Sequence, residues 1–577
     1  MRAPLVPGYL TLVLLSACSP PRDTTPSGSS GGSAGTGATA VSSGGAMSGG
    51  ATSGGATSGG MTAGAISAGG SPTTGGVSAG GTATTGGTAT TGGTATSGGA
   101  AAMGGSPSSR GGTSSGSGGV SSSGGMSSSA GGGSAGSGGG ASPVCPYAGG
   151  KSAAGQNWVN GDLIEFNDNG GWCWYQDERV IVDKEKGQLL IASVASGGGR
   201  AAQVEVTHWD LASRTGKRHH IGTMSYTDDH DVAALVKRPD GGYVAMWAGH
   251  NNDCYSYYSV YDGTSWSKSA TFSWPECPTP TGKKITYANL WYLGDTLYSY
   301  VRSIDTSPHY LESRDGGKSW KLGGRLTATP QVGYVAGYYK YWGDNKDRLD
   351  FFGTEAHPRD NDNSLYHGYI NDGKIHNSLG QVVDDNFSDR SAREVTRYTK
   401  VFATGTTING VRLEHMWNAD LVRYEDGTIA AIGTGRVSGT GSTDPDKRLL
   451  YFRFDGSKWT TTYLAKAGKK LYDSEQDYTG LGALHPDNPH IIYISTPYDP
   501  RTDQGRFEGK KEIWKGTTCD NGASFEWEPV TANSQMDNVR PIVPKWDTEN
   551  TALLWLRGTY TSAQSYNFKV VGLVEHN

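Results

Sequence analysis

Gly242-Tyr-Val-Ala-Met-Trp-Ala248 is a short apolar run opened by a glycine, and six other stretches repeat its character. They are Gly187-Gln-Leu-Leu-Ile-Ala-Ser193, Asp295-Thr-Leu-Tyr-Ser-Tyr-Val301, Arg348-Leu-Asp-Phe-Phe-Gly353, Gly427-Thr-Ile-Ala-Ala-Ile-Gly433, His490-Ile-Ile-Tyr-Ile-Ser495 and Ala552-Leu-Leu-Trp-Leu556. Runs of this length, rich in β-branched and aromatic residues and bounded by turn formers, read as buried strands. Helical periodicity is nowhere sustained. Seven such strands at intervals of roughly 50 to 80 residues suit four-stranded blades joined by variable loops. The expected class is all-β, a seven-bladed β-propeller.

Working outward, the later strands of each unit carry a second signature. Ser313-Arg-Asp-Gly-Gly-Lys-Ser-Trp320 has the Asp-box pattern, Thr518-Cys-Asp-Asn-Gly-Ala-Ser-Phe525 is a looser copy, and Asp262–Trp266 and Asp455–Trp459 are degenerate ones. Glycine supplies positive φ at such a turn and the terminal aromatic packs between sheets. The box marks a blade's outer hairpin and not its chemistry.

The first 18 residues hold a short apolar run ending in Leu15-Ser-Ala-Cys18. That run is too short to span a bilayer and reads as a signal peptide. The residues around Cys18 resemble a bacterial lipobox, which implies lipidation of Cys18 and a cell-surface, outer-membrane or secreted location. Residues 19–142 are almost wholly Gly, Ser, Thr and Ala. They have nothing to bury and read as a disordered tether, with a reach on the order of 60 Å. The expected catalytic domain is 143–577.

The chain carries 49 Lys+Arg against 54 Asp+Glu, and three arginines with one aspartate are the only charges before Pro143. The domain is therefore more acidic than the whole, which argues against nucleic acid as a partner. Membrane contact is expected only through the lipid, and a monomer is expected. Past Cys18 the cysteines are Cys145, Cys173, Cys254, Cys277 and Cys519. They allow two disulfides and one free thiol, with Cys254–Cys277 the preferred pair. No CxxC occurs, so zinc is not indicated. No cofactor is required, and a structural calcium ion is compatible with the sequence without being signalled by it.

In a propeller the innermost strand of each blade lines the axis and the second runs antiparallel to it. The start of each first strand and the end of each second strand therefore meet at one mouth. First-strand starts place His230, Tyr287, Asn289, Tyr338, Trp417, Tyr478, Asn538 and Arg540 there; second-strand ends add His250, Arg302, His357, Arg359, Arg436, Thr496 and Arg557. Such a rim is locally cationic on an acidic protein, and the local field decides where a polyanion docks.

A histidine, a tyrosine and an arginine together suit β-elimination at a uronic acid. The guanidinium offsets the sugar carboxylate, which acidifies the C5 proton; a base removes that proton and an acid protonates the leaving glycosidic oxygen. Arg302 is the expected neutraliser, His230 the base, Tyr287 the acid or, if ionised by neighbouring cations, the base as well, and His250 an orienting partner of either. Tyr338, His357, Arg359, Arg436, Trp417, Asn289 and Arg540 are the expected substrate contacts. Asp228, Asp229 and Asp231 beside His230 could serve a hydrolase, although turn hydrogen bonding is their plainer role.

The stretches Gly171–Arg179, Asp228–Leu235 through His250, Thr286–Asn289 through Arg302, Ser313–Trp320, His357–Arg359 with Tyr366-His367, and Asn538–Pro541 through Gly558 resemble the BNR-repeat seven-bladed propellers that include the ulvan lyases. The resemblance covers the domain and none of the tether. It implies β-elimination at a glucuronate or iduronate next to a sulfated rhamnose, with the family's His-Tyr-Arg set falling on His230, Tyr287 and Arg302 and its second histidine on His250. The sequence around Tyr338 departs from the family's Pro-Tyr pattern, and a Cys/His metal cluster of some relatives has no match. A rhamnosidase acting on rhamnose-glucuronate linkages is the alternative reading. A non-catalytic glycan-binding protein using Trp174, Tyr175 and Trp417 as platforms is another. A sialidase would need three arginines on one carboxylate, and Asp boxes are too widespread to argue for one.

Overall fold

A computed structural model describes residues 153–576 except 276, 278–283, 304–306, 329–336, 442–444, 469, 473–474, 476 and 506–508. The signal peptide, Cys18, the tether and the boundary at 142/143 lie outside the described residues. Among those described there is no α-helix, and the strands assemble into seven antiparallel sheets of four or more strands arranged as propeller blades.

All seven apolar runs are second strands. Blade 1 is Val180–Asp183, Gln188–Val194, Gln203–Asp210 and Thr215–Thr223; blade 2 is Ala234–Lys237, Tyr243–Ala248, Tyr255–Tyr261 and Ala270–Ser273. Blade 3 follows with Leu290–Leu293, Thr296–Arg302, Pro308–Ser313 and Lys321–Arg325. The second strands of blades 4 to 7 are Arg348–Thr354, Ile429–Val437, Ile491–Thr496 and Asn550–Ser562. Tyr243–Ala248 is buried at every position, as a strand covered on both faces must be.

The ring closes by sharing a blade between distant parts of the chain. Blade 7 takes its three inner strands from Asp537–Ile542, Asn550–Ser562 and Ser565–His576, and its outermost strand from Ile164–Asn167, which precedes blade 1. Ile164 pairs with Gly572 and Glu165 with Val571.

The segments Ser313–Trp320 and Thr518–Phe525 sit at hairpins between third and fourth strands. In blade 3, Asp315 Oδ1 accepts the Lys318 and Ser319 amides while Ser313 Oγ accepts the Gly317 amide at 2.9 Å. Blade 6 repeats this with Asp520, Ser524, Thr518 and Gly522. Gly317 has φ +84°, and a Cβ there would lie 2.6 Å from Val244 of the neighbouring blade. Only glycine permits both that backbone and that approach.

Cys254 and Cys277 form the expected disulfide, Cys519 is also disulfide-bonded, and Cys173 is a buried free thiol. On the axis, the segment Trp172–Arg179 enters the ring instead of lining its rim. Trp174 and Tyr175 are 3 % and 1 % exposed, bonded to Asn418 through the indole nitrogen (3.3 Å) and the phenol (3.0 Å), so they plug the channel and are not glycan platforms. Buried Lys340 donates to the Trp174 carbonyl at 2.6 Å and to Asp177 at 2.9 Å, a cation paired inside the core.

Candidate active site

Asp228-Asp-His-Asp231 forms one 3-10 turn ahead of blade 2's first strand, capped by the Asp228 carboxylate, which accepts the His230 amide at 3.0 Å. The cap aims the His230 ring toward the axis. His250 follows blade 2's second strand, and its amide donates to Asp231 at 2.9 Å. The two rings stack at 3.8 Å with 19° between their planes.

Tyr287 stands before blade 3's first strand and Arg302 ends its second. Reciprocal amide bonds between Thr286 and Arg302, 3.0 and 2.9 Å, join the two strand ends as the register argument requires. Tyr287 has φ +72°. A bulky residue in that region costs about 1–3 kcal/mol and persists only where its surroundings hold it. The Arg302 guanidinium carbon lies 4.8 Å from the Tyr287 ring centre, and the Tyr287 and His230 rings are 5.8 Å apart. His230, His250, Tyr287 and Arg302 therefore converge at one mouth.

The electrostatics separate the two histidines. His230 Nδ1 lies 2.6 Å from Asp228 Oδ1 and 2.8 Å from Asp229 Oδ1. Burial opposes its charge, yet Cys173, Asp228 and Asp229 outweigh it and hold the ring well above the ordinary imidazole value. His250 reaches Asp228 Oδ2 at 3.0 Å, and burial together with the adjacent His230 charge lowers it to about 4. Asp229 is also bound by Arg540 and Tyr560. Burial and Asp228 push Asp231 up, toward its neutral form. Two carboxylates, Asp228 and Asp229, thus balance two cations, His230 and Arg540. Beside those cations and Arg302, a further positive charge on His250 is disfavoured. With its Nδ1 proton on Asp228, its Nε2 carries the lone pair. The assignment of His230 as base is corrected accordingly, because a ring held as imidazolium has no lone pair to offer.

On the far side of Arg302, its Nη1 donates to the Tyr338 oxygen at 2.8 Å, and His357 Nε2 lies 3.1 Å from the same oxygen. His357 Nδ1 accepts the Arg359 amide at 3.2 Å, which places the ring proton on Nε2. Burial, Arg359 and Arg302 push His357 down to about 3, keeping it neutral.

Several expected substrate contacts have structural duties instead. Asn289 donates to the Tyr300 carbonyl at 3.1 Å, Trp417 is 3 % exposed among aromatic rings, and Arg540, 1 % exposed, is spent on Asp229 and the Trp172 carbonyl. Arg436 is locked on Asp477, which also faces Lys447 at 3.4 Å. Arg359, at 26 % side-chain exposure, is bonded to Glu475 at 2.6 Å and keeps access to the rim. His250 keeps 24 %, whereas Tyr287 and Arg302 are 5 % and 7 % exposed as residues.

Sequence reasoning missed Gln564 and Tyr560, which hold Asp228 and Asp229 from the end of blade 7's second strand and its turn into the third. The strand carrying Tyr560 runs to Ser562, past the apolar run that signals it. It also missed that Cys173, Asp229 and His230 bring ligating atoms within 4.8 Å of one another, as do Asp228, His230 and His250. Either trio could contact one cation, but their donor atoms are already turned on each other and on Arg540.

No protein-family profile matches the chain, and no curated protein matches it. Solved structures do resemble it. An ulvan lyase of a new polysaccharide lyase family, bound to -[GlcA(1-4)Rha3S]-, superposes with TM-score 0.53 at 12 % identity, over 71 % of this chain and 95 % of its own. The same enzyme family without that ligand gives TM-score 0.52 at 12 % identity and the same coverage. The polysaccharide lyase Uly1 gives 0.45 at 12 % identity, over 74 % of this chain and 95 % of its own. At such identity the likeness shows a shared seven-bladed fold.

Proposed function

We propose that this protein is a polysaccharide lyase that cleaves a uronate-containing, ulvan-like polysaccharide by β-elimination. The observation carrying this reading is that a neutral histidine, a phenol and a guanidinium, from three separate parts of the chain, share one mouth. The -[GlcA(1-4)Rha3S]- ligand of the structurally similar ulvan lyase supports the choice of substrate.

Arg302 faces the uronate carboxylate and offsets the charge that builds there as the C5 proton leaves. His250 Nε2 accepts that proton; Asp228 on its Nδ1 stabilises the imidazolium that forms. Tyr287 donates its phenolic proton to the bridging oxygen as the C4–O bond breaks and the C4=C5 bond forms. His230, already cationic, keeps Asp228 ionised and holds the His250 ring by stacking. No water is consumed.

The test is ultraviolet absorbance of the product on incubation with ulvan. A lyase yields a conjugated C4=C5 chromophore in step with new reducing ends. Reducing ends without absorbance would replace this reading by glycoside hydrolysis, and neither signal would leave a binding protein.

A further inference from the structure

The first strands that begin at the catalytic mouth end at the opposite one. Tyr287 stands before one such strand, Leu290–Leu293, and Tyr292 lies near its far end. At that far mouth lies a cavity of about 840 Å³, floored by first-strand ends and by the turns into second strands. This is within the ordinary range for ligand sites.

Its wall is rich in donors that the protein leaves without partners. Trp291 Nε1, Tyr292 OH, Trp342 Nε1, Arg423 Nε and Tyr424 OH all belong to residues lining the cavity, and each is a buried atom with no hydrogen-bond partner among the described residues. Trp291, Tyr292, Trp342 and Tyr424 are at most 7 % exposed. Buried polar groups are ordinarily bonded, so five unpartnered donor atoms just behind one wall mark a place short of acceptors. The indoles and the guanidinium can only donate.

Charge points the same way. Of the five lining acids, Glu185 is met by Lys237 at 2.8 Å, Asp350 by Arg348 at 2.7 Å, Asp344 caps the Lys346 and Asp347 amides, burial pushes Glu178 up to about 8, and Glu425 alone has no ion pair among the described residues. Lys346, Arg423 and Lys545 have no ion pair among the described residues, although the chain as a whole is acidic. Lys545 Nζ lies 5.3 Å from the centre of the Trp342 ring, so cation and aromatic face are presented together.

We propose that this cavity is a second glycan-binding site, taking an acidic saccharide whose carboxylate or sulfate meets Lys346, Arg423 and Lys545. It rests on the lyase reading only for the choice of ulvan as probe. Two sites on one ring would hold a polymer by avidity while one of them cuts.

The experiment is affinity electrophoresis of the full chain through gels containing ulvan or a neutral polysaccharide such as starch, with K346E/R423E beside the parent. Both substitutions fall outside the catalytic mouth. Ulvan is expected to retard the parent, with apparent dissociation constant raised about tenfold in K346E/R423E, recovered in K346R/R423K, and starch without effect. Turnover of a short ulvan oligosaccharide stays unchanged, and thermal melting checks the fold. Equal retardation of parent and variant, no retardation of the parent, or equal retardation by starch would overturn the proposal. Selective loss of retardation in a protein that never cleaves ulvan would keep this site and discard the lyase.

Discussion

His230 and His250 are one stacked pair on one carboxylate, and their environments drive them to opposite protonation states. Where two titratable neighbours are pushed apart in this way, the one kept neutral is the candidate base. His250→Ala, Tyr287→Phe and Arg302→Ala are each expected to lower kcat for ulvan about 10²- to 10⁴-fold with little change in melting temperature; near-parental turnover in any of them removes that residue from the proposed chemistry. Because His250 is depressed to about 4, it remains a lone-pair base above that value and loses its function only as pH falls through it. The acid limb of kcat/KM should then lie well below the usual imidazole value, and a limb near 6.5 would speak against His250. The convergence of these residues was legible in the sequence, since strand position alone places His230, Tyr287 and Arg302 at one mouth. Their division of labour was not, because it depends on which oxygen of Asp228 each ring meets and on Asp229 being held by Tyr560, a residue distant in the chain.

At the scale of the strand and hairpin, apolar runs located every second strand because a strand buried on both faces has no alternative composition. The outer strands are less legible, being half solvated and irregular. Blade 7's hairpin extends to Ser562 and Ser565, far enough to carry Gln564 onto Asp228, and nothing in its polar sequence marks that reach. Trp174, Tyr175 and Trp417 were misread for the converse reason: aromatic side chains suit a sugar platform and a plugged channel equally well, and only burial distinguishes them. The Asp boxes allow a sharper expectation. Gly317→Ala meets both a positive φ and a contact at 2.6 Å, so it should destabilise by about 1–3 kcal/mol, read as a lower denaturant midpoint, with the activity of the folded fraction retained. An unchanged midpoint would mean that the hairpin can relax.

For the whole molecule, the ring depends on pairing between Ile164–Asn167 and Ser565–His576. Deleting residues up to Asn167 should expose the edge of blade 7 and abolish a single cooperative unfolding transition, whereas deletion ending before Asn157 should leave it intact. Calorimetry of the two truncations separates them, and identical transitions would show that closure does not need the strand. The two mouths of the ring also carry different instructions. One gathers paired charges around two histidines, and the other keeps indole and guanidinium donors buried without partners among the described residues.

The shared blade also sets a timetable for biogenesis. A latch made before blade 1 must wait for a keeper translated some four hundred residues later, so no nascent intermediate possesses a finished circle. Until Val570 to Gly572 have emerged, every partial product is an open arc with one bare sheet margin. Only that late pairing turns the arc into a locked ring.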